Sequence, residues 1–439
     1  MGHHAEPINL TEENYKMSSR TKSILFGIMA IGLVLTVIGI FQIKGADANH
    51  DAHALVSSDH DMSGHASEGH HTSWQTRLWA NVLLNGWYAF LVAVFGTFFI
   101  AVNYLANAGW SAGIKRVPEA MGMLIPLGLV LILIATFFGG EHIYHWMLPG
   151  ISDPESPNFD AIIKGKTGLL NKWFLYGFAP LIILIFYYFH VLLRKQSLKE
   201  DKEGGLGFFK KSNTLSAGFT VLFAFTFAIL VWVFIMSIDP HWYSTIYAIY
   251  NFAIAFVCGV TVLMFLVLFL KSQGHLSFIN GEHIHDLGKY MFAFSIFWTY
   301  IWLSQYLLIW YANIPEESKY FWDRLTGFNG KFEFQFWFNL VLCFILPFLG
   351  FMTREAKRNP NWIYIIGSII LIGHWNDLYL LIMPGSAKDT AGLGLLELGM
   401  PLVVGGLFTY LVLNFLQKAP LFPVNHPYLE ESVHHDVGV

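Results

Sequence analysis

The segment GHWNDLYLLIMPG sets His374 three residues before Asp377, on one face of a helix. A carboxyl group and an imidazole so spaced can hand a proton between them or hold a polar ligand. Asp377 lies inside an apolar run, seven residues before Pro384, which is about 10 Å along a helix axis. Ionisable groups at such depth are costly and usually face a pathway or a partner. Four further groupings share this character: Glu141, His142 and His145 in EHIYHW, Asp239 and His241 in IDPHWYSTIY, Glu397 in LLELGMP, and the lone His190 beside Tyr187 and Tyr188. Glu141, Asp239 and Glu397 close or open apolar runs, where a helix cap or a solvated carboxylate is the ordinary role. His190 reads as an interfacial residue. Asp377 is the one that such a role does not explain.

A second kind of chemistry is written in residues 286–318, DLGKYMFAFSIFWTYIWLSQYLLIWYANIPEES. Tyr290 to Tyr311 are 22 residues without a formal charge, ten of them aromatic. Phe294, Trp298, Trp302, Tyr306 and Trp310 recur every fourth residue and form one row along a helix. Such a row packs a bundle, and it is also a wall on which a flat apolar ligand can stack. Ser304 and Gln305 add polar groups that need partners in an apolar surround, and could line a hydrated path.

These groups need a membrane scaffold to position them. The chain has 439 residues, 55% hydrophobic and 13% charged, against roughly 25% charged in soluble domains. Ten stretches are long enough to span: 23–43, 82–107, 121–140, 173–193, 218–238, 248–270, 290–311, 334–353, 362–383 and 395–417. An all-α polytopic fold follows, with both termini on one side. Of the 26 Lys and Arg, 17 fall on that side and 9 on the other, so the positive-inside rule puts both termini in the cytoplasm. On this topology nearly all the buried ionisable groups gather in the outer half of the membrane, and His190 is the clear exception on the inner half.

The remaining segments are tails and loops: a cytoplasmic tail at 1–21, a membrane domain at 22–417, and a second tail at 418–439. The outer loop 45–80 carries His50, His53, His60, His65, His70 and His71 at irregular spacing, which suits a hydrated segment better than the regular spacing of a structural zinc site. No metal ligands are assigned. His3, His4, His434 and His435 are expected in solvent. Residues 194–217 read as a basic linker, and the net charge of −4 points to no nucleic-acid partner. Cys258 and Cys343 stand alone, with neither a CxxC pair nor a CxxCH haem-attachment motif. A short echo aligns EHIYHWMLPG (141–150) with NDLYLLIMPG (376–385).

The run from Asp286 to Ser318, DPHWYSTIY at 239–247 and HWNDLYLLIMPG at 374–385 resemble the ActF family of bacterial alternative complex III. That complex is a quinol:cytochrome c oxidoreductase, and the family is related to the NrfD-like, polysulfide-reductase membrane proteins. The resemblance covers about 22–417. It implies two four-helix bundles plus two flanking helices in a bacterial inner membrane. It also implies a scaffold without a covalently bound cofactor, with a proton path or a second surface for menaquinol or ubiquinol. The implied partners are a larger, paralogous NrfD-like membrane protein, an iron–sulfur protein, multihaem and monohaem cytochromes c, lipids and a terminal oxidase. Haem c and iron–sulfur clusters would sit on those other chains. Read from the residues alone, a secondary transporter of protons or metal cations is the alternative, favoured by the His-rich loop and the His374/Asp377 pair.

Overall fold

The computed structural model describes residues 13–57, of which 48–57 by backbone alone, and 73–436. Ten helices are long and apolar enough to cross a membrane, and the described residues contain no strand. They are α1 (Ser19–Ser57), α2 (Trp74–Leu105), α3 (Arg116–Ile143), α4 (Phe174–Glu203), α5 (Leu206–Ile238), α6 (Ile246–Ser272), α7 (Gly281–Ala312), α8 (Glu333–Gly350), α9 (Pro360–Ser386) and α10 (Leu395–Leu416). Helices α2–α5 form one four-helix bundle and α6–α9 a second, and the bundles meet where α2 packs on α6 and α9. Helices α1 and α10 pair with each other beside them.

That pairing is written in glycines. A Cβ on Gly39 would stand 2.3 Å from the Leu396 nitrogen, and one on Gly399 2.5 Å from the Thr36 nitrogen. Without side chains there, the two backbones come into direct contact, the usual means of helix association in lipid.

The two bundles repeat local devices. The third helix of each carries one π turn just before a proline, Phe174–Phe178 before Pro180 and Val341–Ile345 before Pro347. Proline lacks an N–H and crowds the preceding turn, and the wider turn relieves both. The second helix of each carries a glycine that seats a side chain: Gly122 lies under His190 of α4, and Gly288 under Lys357 of the α8–α9 connection. The repeat therefore relates α3 to α7 and α4 to α8. The echo between 141–150 and 376–385 joins α3 to α9 and is not its register.

Several boundaries differ from the sequence reading. Helix α1 has 39 residues, about 60 Å, and continues as helix to Ser57 into the segment read as loop. The six histidines of that segment have side chains outside the described residues, as do His3 and His4. The linker expected at 194–217 shrinks to Gly204 and Gly205, whose φ values of 66° and 92° turn the chain directly from α4 into α5. The C-terminal segment lies on the bundles. His434 is exposed, but His435 is half-buried and its Nε2 is 2.8 Å from Asp286 Oδ2.

Candidate functional site

Asp377 is buried, and each of its bundle partners gives it one hydrogen bond. Tyr250 of α6 donates its hydroxyl to Oδ1 at 2.5 Å, Asn339 of α8 donates Nδ2 to Oδ1 at 2.8 Å, and Trp298 of α7 donates Nε1 to Oδ2 at 2.9 Å. Asn339 is fixed in turn: its Oδ1 accepts from Asn376 Nδ2 at 3.2 Å. The carboxyl group thus ties the four helices together through three neutral donors. His374 is fully buried, its Nδ1 3.7 Å from Asp377 Oδ2. Neither ring nitrogen of His374 has a hydrogen-bond partner, and the Trp298 ring meets it edge-on at 5.2 Å.

On the side of Asp377 away from the termini lies a cavity of about 20 Å³, lined by Tyr250, Gln305, Tyr320, Arg324, Asp377 and apolar neighbours. A space of that size holds about one water. Gln305 Nε2, buried and without a partner, is on its wall. Of the groups bonded to Asp377, the Tyr250 hydroxyl alone can both donate and accept at the same atom, and it too lines the cavity. It can turn from donor to acceptor when the carboxyl takes a proton. The Trp298 and Asn339 nitrogens can only donate.

Beyond the cavity stands Arg324, at the end of the short helix Pro315–Leu325. Its guanidinium is buried with all three nitrogens bonded, donating to the carbonyls of Leu380 (2.8 Å), Tyr320 (2.8 Å) and Leu381 (3.2 Å) and to Asp239 Oδ2 (3.2 Å). It lies 3.4 Å above the Tyr320 ring, which also stacks on Trp242 at 3.9 Å. Burial pushes the Tyr320 hydroxyl up to about 12. Burial also raises the Asp239 carboxyl above its usual range, against the opposing pull of Arg324. Asp239 is partly exposed, so the series Asp377, cavity, Arg324 and Asp239 reaches the membrane face opposite the termini.

The other candidates fall elsewhere. Glu397 is buried and fully satisfied: Arg77 grips it with two bonds of 2.7 and 2.8 Å, Asn81 Nδ2 donates at 3.0 Å, and its Oε2 caps α10 at the Gly394 amide. These bonds tie α10 to α2. Glu141 and His142 lie exposed on the rim of the first bundle, with Lys172 Nζ 3.7 Å from Glu141. His241 pairs with Asp160 at 2.5 Å on the same rim, with the His145 ring 6.3 Å away. The structure does not bring these groups to Asp377. Ser304 is half-buried and does not line the cavity.

The aromatic row is a ladder. Trp298 stacks on Trp302 and Trp302 on Tyr306, each at 6.0 Å, so the faces a ligand would use are occupied by one another. Trp298 belongs to the site through its N–H, not its face.

On the termini side, a buried ionic cluster joins α3 to α4. Arg116 pairs with Glu119 at 2.6 Å and with Asp201, and Lys115 lies 3.8 Å from both Glu119 and Glu200. His190 is part of it and not interfacial: it is fully buried between Thr97 Oγ1 (2.9 Å) and the Glu119 carbonyl (2.8 Å). The termini-side half is therefore richer in buried charge than the sequence reading allowed, because these residues were placed in loops.

Sequence reasoning also passed over Tyr250, Asn339 and Arg324. Asn339 carried a visible signal, an amide within the apolar run FWFNLVLC. Arg324 carried none, since nothing local says that a loop arginine turns inward. No protein-family model and no curated protein matches this sequence.

Proposed function

We propose that this chain is a membrane component of a respiratory quinol:cytochrome c oxidoreductase of the alternative complex III type. It spans a bacterial inner membrane with both termini cytoplasmic. It supplies scaffold and, at Asp377, a station on a proton path, while electrons pass through haems and iron–sulfur clusters on partner chains. The resemblance at 239–247, 286–318 and 374–385 supports the complex. The proton role rests on one observation: a buried carboxyl held by neutral donors alone, beside a water-sized cavity that leads to Arg324 and Asp239. A charge held without a cation can be given up and regained. When Asp377 takes a proton, Tyr250 turns its hydroxyl to accept from it and donates into the cavity.

Asp377→Asn tests this. Its amide oxygen keeps Tyr250 and Asn339, and its NH₂ can turn toward the unpartnered His374 Nδ1. The expected result is an assembled complex with its haem c absorption band intact and a lower ratio of protons moved to electrons passed. An unchanged ratio overturns the proton path. A purified preparation of the native chain without any haem c band overturns the complex, and metal uptake by liposomes holding this chain alone points to a transporter instead.

A further inference from the structure

Between the α1/α10 pair and helices α2, α6 and α9 lies a crevice of about 770 Å³, within the roughly 300–1,000 Å³ of sites that enclose a small molecule. Its walls are mostly apolar, including Ile28, Val92, Phe265, Leu371, Leu402 and Phe408. It runs along the half of the membrane that contains the termini. Thr21, Phe269 and Leu413 mark its mouth near the ends of α1, α6 and α10, and Asn85 and Tyr88 mark its deep end.

The deep end has little to offer a polar head. The Tyr88 hydroxyl already donates to the Leu371 carbonyl at 3.0 Å, Asn85 Nδ2 donates to the Asn81 carbonyl, and Asn85 Oδ1 accepts from Trp375. The mouth is different. Arg20 and Lys22 flank Thr21 and are exposed, and Lys418, also exposed, follows α10 there. Glu13, the nearby acid, is engaged by His275 Nδ1 and the Leu276 amide. An apolar slot in hydrocarbon whose mouth at Thr21 and Leu413 adjoins exposed cations in the chain suits an anionic amphiphile.

We propose that the crevice binds an anionic phospholipid from the termini-side leaflet, one acyl chain filling the slot and the phosphate meeting Arg20, Lys22 and Lys418. The chain replaces packing that the protein lacks between the α1/α10 pair and the second bundle. This site is separate from Asp377 and needs no redox role.

Gly405 gives the test. No atom lies within 4 Å of a Cβ built there, and the residue faces the crevice. The indole of Gly405→Trp therefore enters the slot without displacing the backbone. The full chain, purified in mild detergent from phosphatidylglycerol-containing membranes, is weighed by native mass spectrometry. The native protein is expected to retain phosphatidylglycerol and Gly405→Trp to lose it. Ser368→Phe, which fills the slot from the α9 wall, serves where the first variant fails to insert. In a competition with phosphatidylcholine, Arg20→Gln and Lys22→Gln each lower the preference for phosphatidylglycerol about fivefold. Equal retention in the filled variants overturns the proposal, as does a charge-blind preference or a neutral isoprenoid quinone retained in place of the phospholipid.

Discussion

At the scale of the residue, Asp377 and Arg324 meet the same problem differently. Asp377 is surrounded by neutral donors, and Arg324 by three carbonyls and one carboxylate. Removing a buried partner leaves the rest of its set unpaired, at a cost of about 3–5 kcal/mol. Arg324→Gln is therefore expected to lower the unfolding temperature in detergent clearly. Lys319→Ala is the control. Its exposed pair with Asp323 at 3.1 Å contributes under about 1 kcal/mol. Equal melting of the two variants would remove Arg324 as a keystone. The sequence showed Asp377 because a carboxylate in an apolar run is visible by itself. It could not show Arg324, whose burial is decided by carbonyls of α9 some fifty-six residues away. Glu397 was legible only in part: it caps α10 as its place at the start of an apolar run suggested, but its partner Arg77 comes from α2, so its burial did not show.

At the scale of the element, the spans were legible and their ends were not. Hydropathy marks the middle of a helix, but α4 continues past its apolar run because Arg194, Ser197 and Glu200 pack into the termini-side cluster. The C-terminal segment joins that cluster too. Asn425 Nδ2 donates to the Asp201 carbonyl and Ser432 Oγ to the Trp110 carbonyl. His426 lies among the rings of Tyr104, Phe209 and Tyr428, where burial, with Lys115 and Arg116 nearby and Glu119 opposing them, holds its imidazole down to about 3. An undocked His426 titrates near 6.5. Between those values the undocked segment binds more protons, so docking is strongest above about 6.5 and weakens as pH falls toward 3. Amide exchange over residues 421–436 is expected to speed up, after correction for intrinsic rates, between pH 7 and pH 5. The difference is read against His426→Phe, which should shrink the pH step, since His283 also touches the segment at Ser432 and His435. A step of unchanged size in that variant assigns the effect to another group.

At the scale of the whole molecule, two bundles share one plan and differ in content. Each has a π turn before a proline in its third helix and a glycine seat in its second, yet the carboxyl node belongs to the second bundle. The first bundle concentrates its charge on the termini side, around Glu119. The two polar centres therefore stand in opposite halves of the membrane, and which faces the cytoplasm decides what each can do. The proposed orientation rests on the excess of Lys and Arg on the side of the termini, 17 against 9, and would turn Asp377 and Arg324 outward. Both native cysteines are buried, so an introduced one reports its own side. Glu316→Cys, exposed in the α7–α8 connection, is expected to react with a membrane-impermeant maleimide on cells whose outer membrane has been permeabilised. Glu203→Cys, exposed at the end of α4, should react only once the inner membrane is also broken. The reverse pattern would point the cavity beside Asp377 toward the cytoplasm. A proton leaving Asp377 would then return to the side from which respiration removes it, and the proposed path would have no use for the node.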